Sequence, residues 1–125
     1  MSSLLPLGTR AFKTPWFAKV ARKAGIADAE LCGAIREATV GQIVDLGGGV
    51  FKKRLNDNMH RSIILAKSRK MWVYEYLFAK KDRGNIDEDE LEGFRLLSKR
   101  YALLNAEQLD ALIARRHFLE ICHDH

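Results

Sequence analysis

The alternation of apolar and polar positions changes character along the chain, and each change marks a different kind of element. Thr14-Pro15 reads as a helix cap followed by the first helical position, where proline's missing N–H costs nothing. Trp16, Phe17, Val20, Ala21 and Ala24 then recur at helical spacing, and Gly25 ends the run. Asp28 is a second cap candidate, after which Leu31, Ala34, Ile35 and Ala38 share one face. The two helices predict a hairpin joined by Gly25–Asp28. In front of them Arg10–Thr14 predicts a short strand, and residues 1–9 an arm.

Gly41 and Gly47-Gly48-Gly49 end the helical pattern. Three strand-like runs follow, Val50–Leu55, Arg61–Lys67 and Met71–Ala79. Asn56-Asp57-Asn58 and Ser68-Arg69-Lys70 connect them and are short enough for hairpins. Ile63-Ile64-Leu65 is apolar on both faces, which predicts a buried central strand. Trp72, Tyr74, Tyr76 and Phe78 alternate along the third run, which predicts one aromatic face. Packing against a helix explains that face, and so does base stacking. The glycine triplet lacks the spacing and the Lys-Ser/Thr ending of a phosphate loop, and reads as a flexible link into a strand.

From Asp87 the period returns to helical. Leu91, Phe94, Leu97, Tyr101 and Leu104 form a stripe, and Asp87 with Glu90 fits a capping box. The four acids at 87–90 suit a helix start better than a cation site. Asn105 and Gln108 predict a second capped start, for a short helix with Leu109, Leu112 and Ile113. Phe118–Ile121 predicts a last strand. Strands grouped between helices imply an α+β domain over 10–121, its antiparallel sheet covered on one face, with 122–125 as a tail.

Composition adds limits. The chain has 125 residues, 47% hydrophobic and 30% charged, enough for one cored domain. No apolar run reaches the roughly 18 residues of a membrane span. Met1–Thr9 lacks a basic leader and a signal-length apolar core, so no export is expected. The two cysteines make no disulfide framework and suit a reducing cytoplasm, with Cys32 read as packing. Cys122-His123-Asp124-His125 has no second cluster upstream, so no metal is expected.

Charge changes the picture more. The net charge is +5, yet Val50–Arg83 alone holds 10 basic and 3 acidic residues. A basic centre suggests an anionic partner, although a solvated sheet face would read the same way. Period two puts Lys52 and Arg54 on one strand face, with Lys53 awkward between core positions and snorkelling to an edge. Arg54 and Arg61 flank one hairpin, and Lys80 leaves the third strand beside the start of the second. The three therefore converge on one corner of the sheet, which suits a phosphodiester. His60 is a candidate acid or base there, or simply a turn residue.

Three motifs carry a family resemblance. They are Leu46-Gly47-Gly48-Gly49-Val50-Phe51-Lys52-Lys53-Arg54, Arg61-Ser62-Ile63-Ile64, and Phe78-Ala79-Lys80-Lys81-Asp82-Arg83-Gly84-Asn85-Ile86. With Phe12–Phe17 in front and the helix at Asp87 behind, the chain resembles the RelE/ParE superfamily of type II toxins, near its HigB-like branch. The resemblance implies a RelE-like, microbial-ribonuclease-like α+β fold with a twisted antiparallel sheet. It implies a bacterial, cytoplasmic, ribosome-dependent mRNA endonuclease that uses no metal or cofactor and is neutralised by a cognate antitoxin of helix-turn-helix, HigA-like type. Lys52, Arg54, Arg61 and Lys80 match the motif positions; Lys53, Lys81 and Arg83 are further candidates for RNA contact. Two departures stand out: the loop before Arg61 is only Leu55–His60, and Gly84 replaces a frequent acid. A gyrase-targeting toxin of the same fold, or a catalytically weak toxin acting mainly as an antitoxin-binding corepressor, stays open on these residues.

Overall fold

The computed structural model describes residues 5–123. Ten elements follow in order: β1 (Arg10–Lys13), α1 (Pro15–Lys23), α2 (Asp28–Thr39), β2 (Val44–Gly47), β3 (Val50–Leu55), β4 (His60–Lys67), β5 (Met71–Ala79), α3 (Glu88–Ala102), α4 (Ala106–Ala114) and β6 (Leu119–Ile121). The caps explain most boundaries. Thr14 Oγ1 accepts from Phe17 N at 3.1 Å, with Pro15 at the first helical position. Asp87 with Glu90, and Asn105 with Gln108, close full capping boxes. Asp28 does not cap α2. It is the first helical residue, behind Ala27, and its carboxylate meets Lys13 Nζ at 2.7 Å.

The six strands lie in the order β2-β3-β4-β5-β1-β6. The α+β class holds, and the sheet is mixed because β1 enters parallel to β5 while β6 pairs antiparallel to β1. Both faces are covered, where the sequence predicts one. Phe17, Ala21, Leu31 and Ile35 of α1 and α2 pack on Phe51, Ile64, Trp72 and Tyr74. On the other face Leu91, Phe94 and Leu97 of α3 pack on Val50, Ile63 and Phe78, and α4 covers Phe12 and Val73. A stripe on each helix and apolar residues on both sides of β4 and β5 required two layers.

The single aromatic face is also corrected. The β4–β5 register shifts between Ile63, opposite Tyr76, and Ile64, opposite Tyr74, so Glu75 is the extra residue of a bulge. Trp72 and Tyr74 consequently face α1 and α2, whereas Tyr76 and Phe78 face α3. Tyr74 spends its hydroxyl on Leu31 O at 2.7 Å, and burial pushes its pKa up. It is therefore not a surface for a base.

The glycine triplet is a tight hairpin turn between β2 and β3, a strand pair the sequence reading lacks. All three glycines have positive φ. A Cβ on Gly49 would lie 2.3 Å from Ser98 Oγ of α3, so the backbone at this turn passes too close to α3 for any side chain. The expectation of unpaired cysteines is overturned as well: Cys32 and Cys122 form a disulfide across 90 residues of sequence. Pairing of β6 with β1 carries Cys122 under α2, a meeting that sequence spacing alone does not reveal. Asp124 and His125, half of the expected tail, lie outside the described residues. The same holds for residues 1–4 of the arm, while Leu5 packs against the core.

Candidate functional site

The basic corner is built by register. Arg54 lies directly opposite Arg61, and Arg61 opposite Phe78. Strand alternation from Val50 and Ile63 puts Lys52, Arg54 and Arg61 on the α3 side of the sheet. Arg54 is exposed. Arg61 reaches back over the β3–β4 turn, donating to Asn58 O at 2.9 Å and His60 O at 3.2 Å, which holds its guanidinium at the strand end. Lys52 Nζ donates to Asn85 Oδ1 at 3.3 Å, and the same oxygen accepts from Ile86 N at 2.9 Å. Asn85 thus draws the loop after β5 across the face. Lys80 N donates to Met59 O at 2.8 Å, which brings Lys80 to the same end of the sheet.

Among the described residues no carboxylate pairs with Lys52, Arg54, Arg61, Lys80 or Lys81. Two further candidates are spoken for. Lys53 crosses to the other face and snorkels to Glu37 Oε1 at 2.8 Å and Gln42 O at 2.7 Å. Arg83 binds Glu90 with two nitrogens, at 3.0 and 2.5 Å, and sits 5.6 Å from the Phe78 ring centroid. Its hydrogen bond to Glu90 pushes the Arg83 pKa up and holds the carboxyl of Glu90 below its ordinary value. That pair fastens the loop to the start of α3.

His60 separates from the arginines. It pairs with Leu55, whose side chain belongs to the α1–α2 core, so its imidazole lies on the α1 side. Its Nδ1 is 3.2 Å from Asn56 Nδ2, which also donates to Ala24 O of the α1 cap. Lys80 and His60 share a pocket of about 490 Å³ with Met59 and Lys81. The arrangement therefore has two sides: a cationic face at Lys52, Arg54 and Arg61, and a groove at His60.

Sequence reasoning missed Asn85 and Trp16. Asn85 carried no charge to draw attention. Trp16 looked like one more position of an apolar helix stripe, yet it is 48% exposed and stacks on Tyr76 with centroids 5.4 Å apart. Among the described residues no group of three His, Cys, Asp or Glu side chains is placed to hold a metal ion. No described helix is long and apolar enough to cross a membrane.

Compared with known proteins, residues 9–121 match the family model described as the RelE toxin of the RelE/RelB toxin–antitoxin system. No curated protein and no solved structure matches the chain.

Proposed function

The chain belongs to the RelE toxin family of RelE/RelB toxin–antitoxin systems, and from that membership we propose that it is a ribosome-dependent mRNA endonuclease of the HigB-like kind. Toxins of this family work against an antitoxin partner; a helix-turn-helix, HigA-like antitoxin is the form proposed here. Its place of action is the bacterial cytoplasm.

The observation that supports cleavage is the Arg54–Arg61 register pair, with Lys52 and Lys80 nearby and, among the described residues, no acid paired with any of them. Two like charges set opposite each other weaken a sheet, and an anion held between them offsets that repulsion. Arginine forks match phosphate oxygens, and lysine adds a point charge. The attacking oxygen is the substrate's own 2′-hydroxyl. As its bond to phosphorus forms and the bond to the 5′-oxygen breaks, one proton leaves the 2′-oxygen and one arrives on the 5′-oxygen. Negative charge peaks on the non-bridging oxygens between these events, where Arg54 and Arg61 are aimed. Lys80 faces the leaving side, and Lys52 and Lys81 guide the flanking phosphates. His60 shares a pocket with Lys80 and Lys81 and has no role in this step.

Induced expression should arrest growth, and co-expression of the neighbouring antitoxin should restore it. Ribosome-bound mRNA should be cut within codons. Arg61→Ala and Lys80→Ala should relieve toxicity while circular dichroism shows an intact fold. Growth arrest with intact mRNA, or a DNA-damage response instead, would overturn the ribonuclease reading.

A further inference from the structure

Beyond Tyr74, β5 has no strand on its β1 side, because β1 ends at Lys13 and Thr14-Pro15 turns the chain into α1. The first turn of α1 therefore lies alongside the open end of β5. A groove of about 490 Å³ opens there, lined by Trp16, Val20 and Lys23 of α1 and by Tyr76, Phe78 and Ala79 of β5. His60 and Lys81 line both this groove and the neighbouring pocket that contains Lys80 and the half-exposed Met59. Asp82 is the acid that lines it, and Arg83 at its border is already bound to Glu90.

The floor is a prepared aromatic platform. Trp16 and Tyr76 are nearly parallel, at 16°, and Tyr76 is fixed in turn by Phe78 and Phe94, each 5.9 Å away. Trp16 is stacked on a ring and still 48% exposed, so part of its indole surface is open to a ligand. An exposed stacked ring with lysines and a histidine around it fits a flat aromatic ligand that carries negative charge.

We infer that this groove is a nucleobase subsite: it stacks one base of single-stranded RNA on Trp16, with Lys23 and Lys81 on the adjoining phosphates. The inference rests on the RNA-cleaving reading and adds a second contact, across the sheet end from Arg54 and Arg61. The strand then crosses the end of the sheet, with its scissile phosphate at β3–β4 and a flanking base at the open edge of β5. His60, at the boundary, is a hydrogen-bonding group for that base.

The chain has two tryptophans, so a nitrogen-15 correlation spectrum shows two indole signals. Trp72 is buried, and its Nε1 donates to Arg69 O at 3.1 Å, which makes it the internal control and a reporter of the fold. Titration of the full chain with a short oligoadenylate should move the Trp16 indole and leave Trp72 in place. An abasic phosphodiester strand of equal charge should leave both in place. Trp16→Leu should weaken oligoadenylate binding about fivefold or more, and Trp16→Phe should recover most of it. Arg54→Gln should lose mRNA cleavage yet keep the Trp16 shift, which separates the fate of this subsite from that of the nuclease reading. An unmoved Trp16 signal would overturn the inference. So would equal shifts with the abasic strand, unchanged binding by Trp16→Leu, or a larger Trp16 shift from an acidic peptide than from the oligonucleotide.

Discussion

Arg54→Gln should make the protein more stable and less active, and the two signs together test whether the arginine pair is functional. Arg54 is exposed, has no hydrogen-bond or ion-pair partner among the described residues, and lies opposite Arg61. Glutamine keeps most of the stem and removes the charge. Like charges directly opposite on neighbouring strands cost about 0.2–1 kcal/mol. Coulomb's law gives a similar figure, about 0.5–0.8 kcal/mol for unit charges roughly 5–8 Å apart in water. The variant should therefore gain about 0.5 kcal/mol, a rise of roughly 2 °C in Tm. In about 1 M salt the Debye length falls to roughly 3 Å, and the gain should disappear. Cleavage should move the other way. Removing one donor aimed at developing charge costs about 10²–10³ in rate. Urea titrations at low and high salt read the first effect, and toeprinting of ribosome-bound mRNA reads the second. A loss of stability at low salt would show that the guanidinium is a structural strut. Unchanged cleavage would show that it never meets the phosphate.

Gly49→Ala should cost roughly 2–4 kcal/mol, from positive φ and overpacking against Ser98. Ser98→Ala should restore only part of that in urea titration, because the new Cβ also meets Ala66 O at 3.1 Å. Reductant should lower the unfolding midpoint of the parent chain, since a cross-link over 90 residues is worth up to about 4–5 kcal/mol; Cys122→Ser should not respond to reductant. Glu75, its pKa raised by burial despite a bond from Tyr101, binds its proton more tightly folded than unfolded. Its contribution therefore falls as pH rises past the ordinary carboxylate value, and Glu75→Gln should stabilise the protein at neutral pH but not in acid. Glu90 and Glu120, lowered by Arg83 and Arg10, have the opposite sign: their contribution is full above the ordinary carboxylate value and is lost as pH falls through their lowered pKa values. An acid titration of stability in Arg10→Ala should show the Glu120 part gone.

What was legible in the sequence was local. Val50–Leu55, Met71–Ala79 and the caps at Thr14, Asp87 and Asn105 are set by alternation and by side chains three residues apart, and the structure has them at those positions. The meeting of Arg54 with Arg61 follows from one short hairpin and was legible for the same reason. Features that depend on distant chain were not. The parallel entry of β1 and the disulfide need pairings across 60 residues or more to be known first, and the second covered face needs α3 and α4 folded back onto earlier strands. The bulge at Glu75 shows a different limit: one extra residue reverses which face Tyr76 and Phe78 take, and alternation alone cannot see it. Sequence adjacency groups His60 with Arg61, although adjacent strand residues point to opposite faces. Trp16 was hidden because a helix stripe normally ends in the core, whereas this one starts beyond the end of β1.

The insertion of β1 between β5 and β6 gives the two sides of the site different folding histories. The hairpin that aligns Arg54 with Arg61 closes over a turn of a few residues, which takes roughly microseconds. The wall containing Trp16 exists only once β1 has found β5, Arg10 against Met71, a long loop closure that slows folding. A partly folded chain can thus display its arginine pair before it has a groove beside them. Hydrogen exchange should see that order in reverse, with the amides of β1 opening before those of β3 and β4.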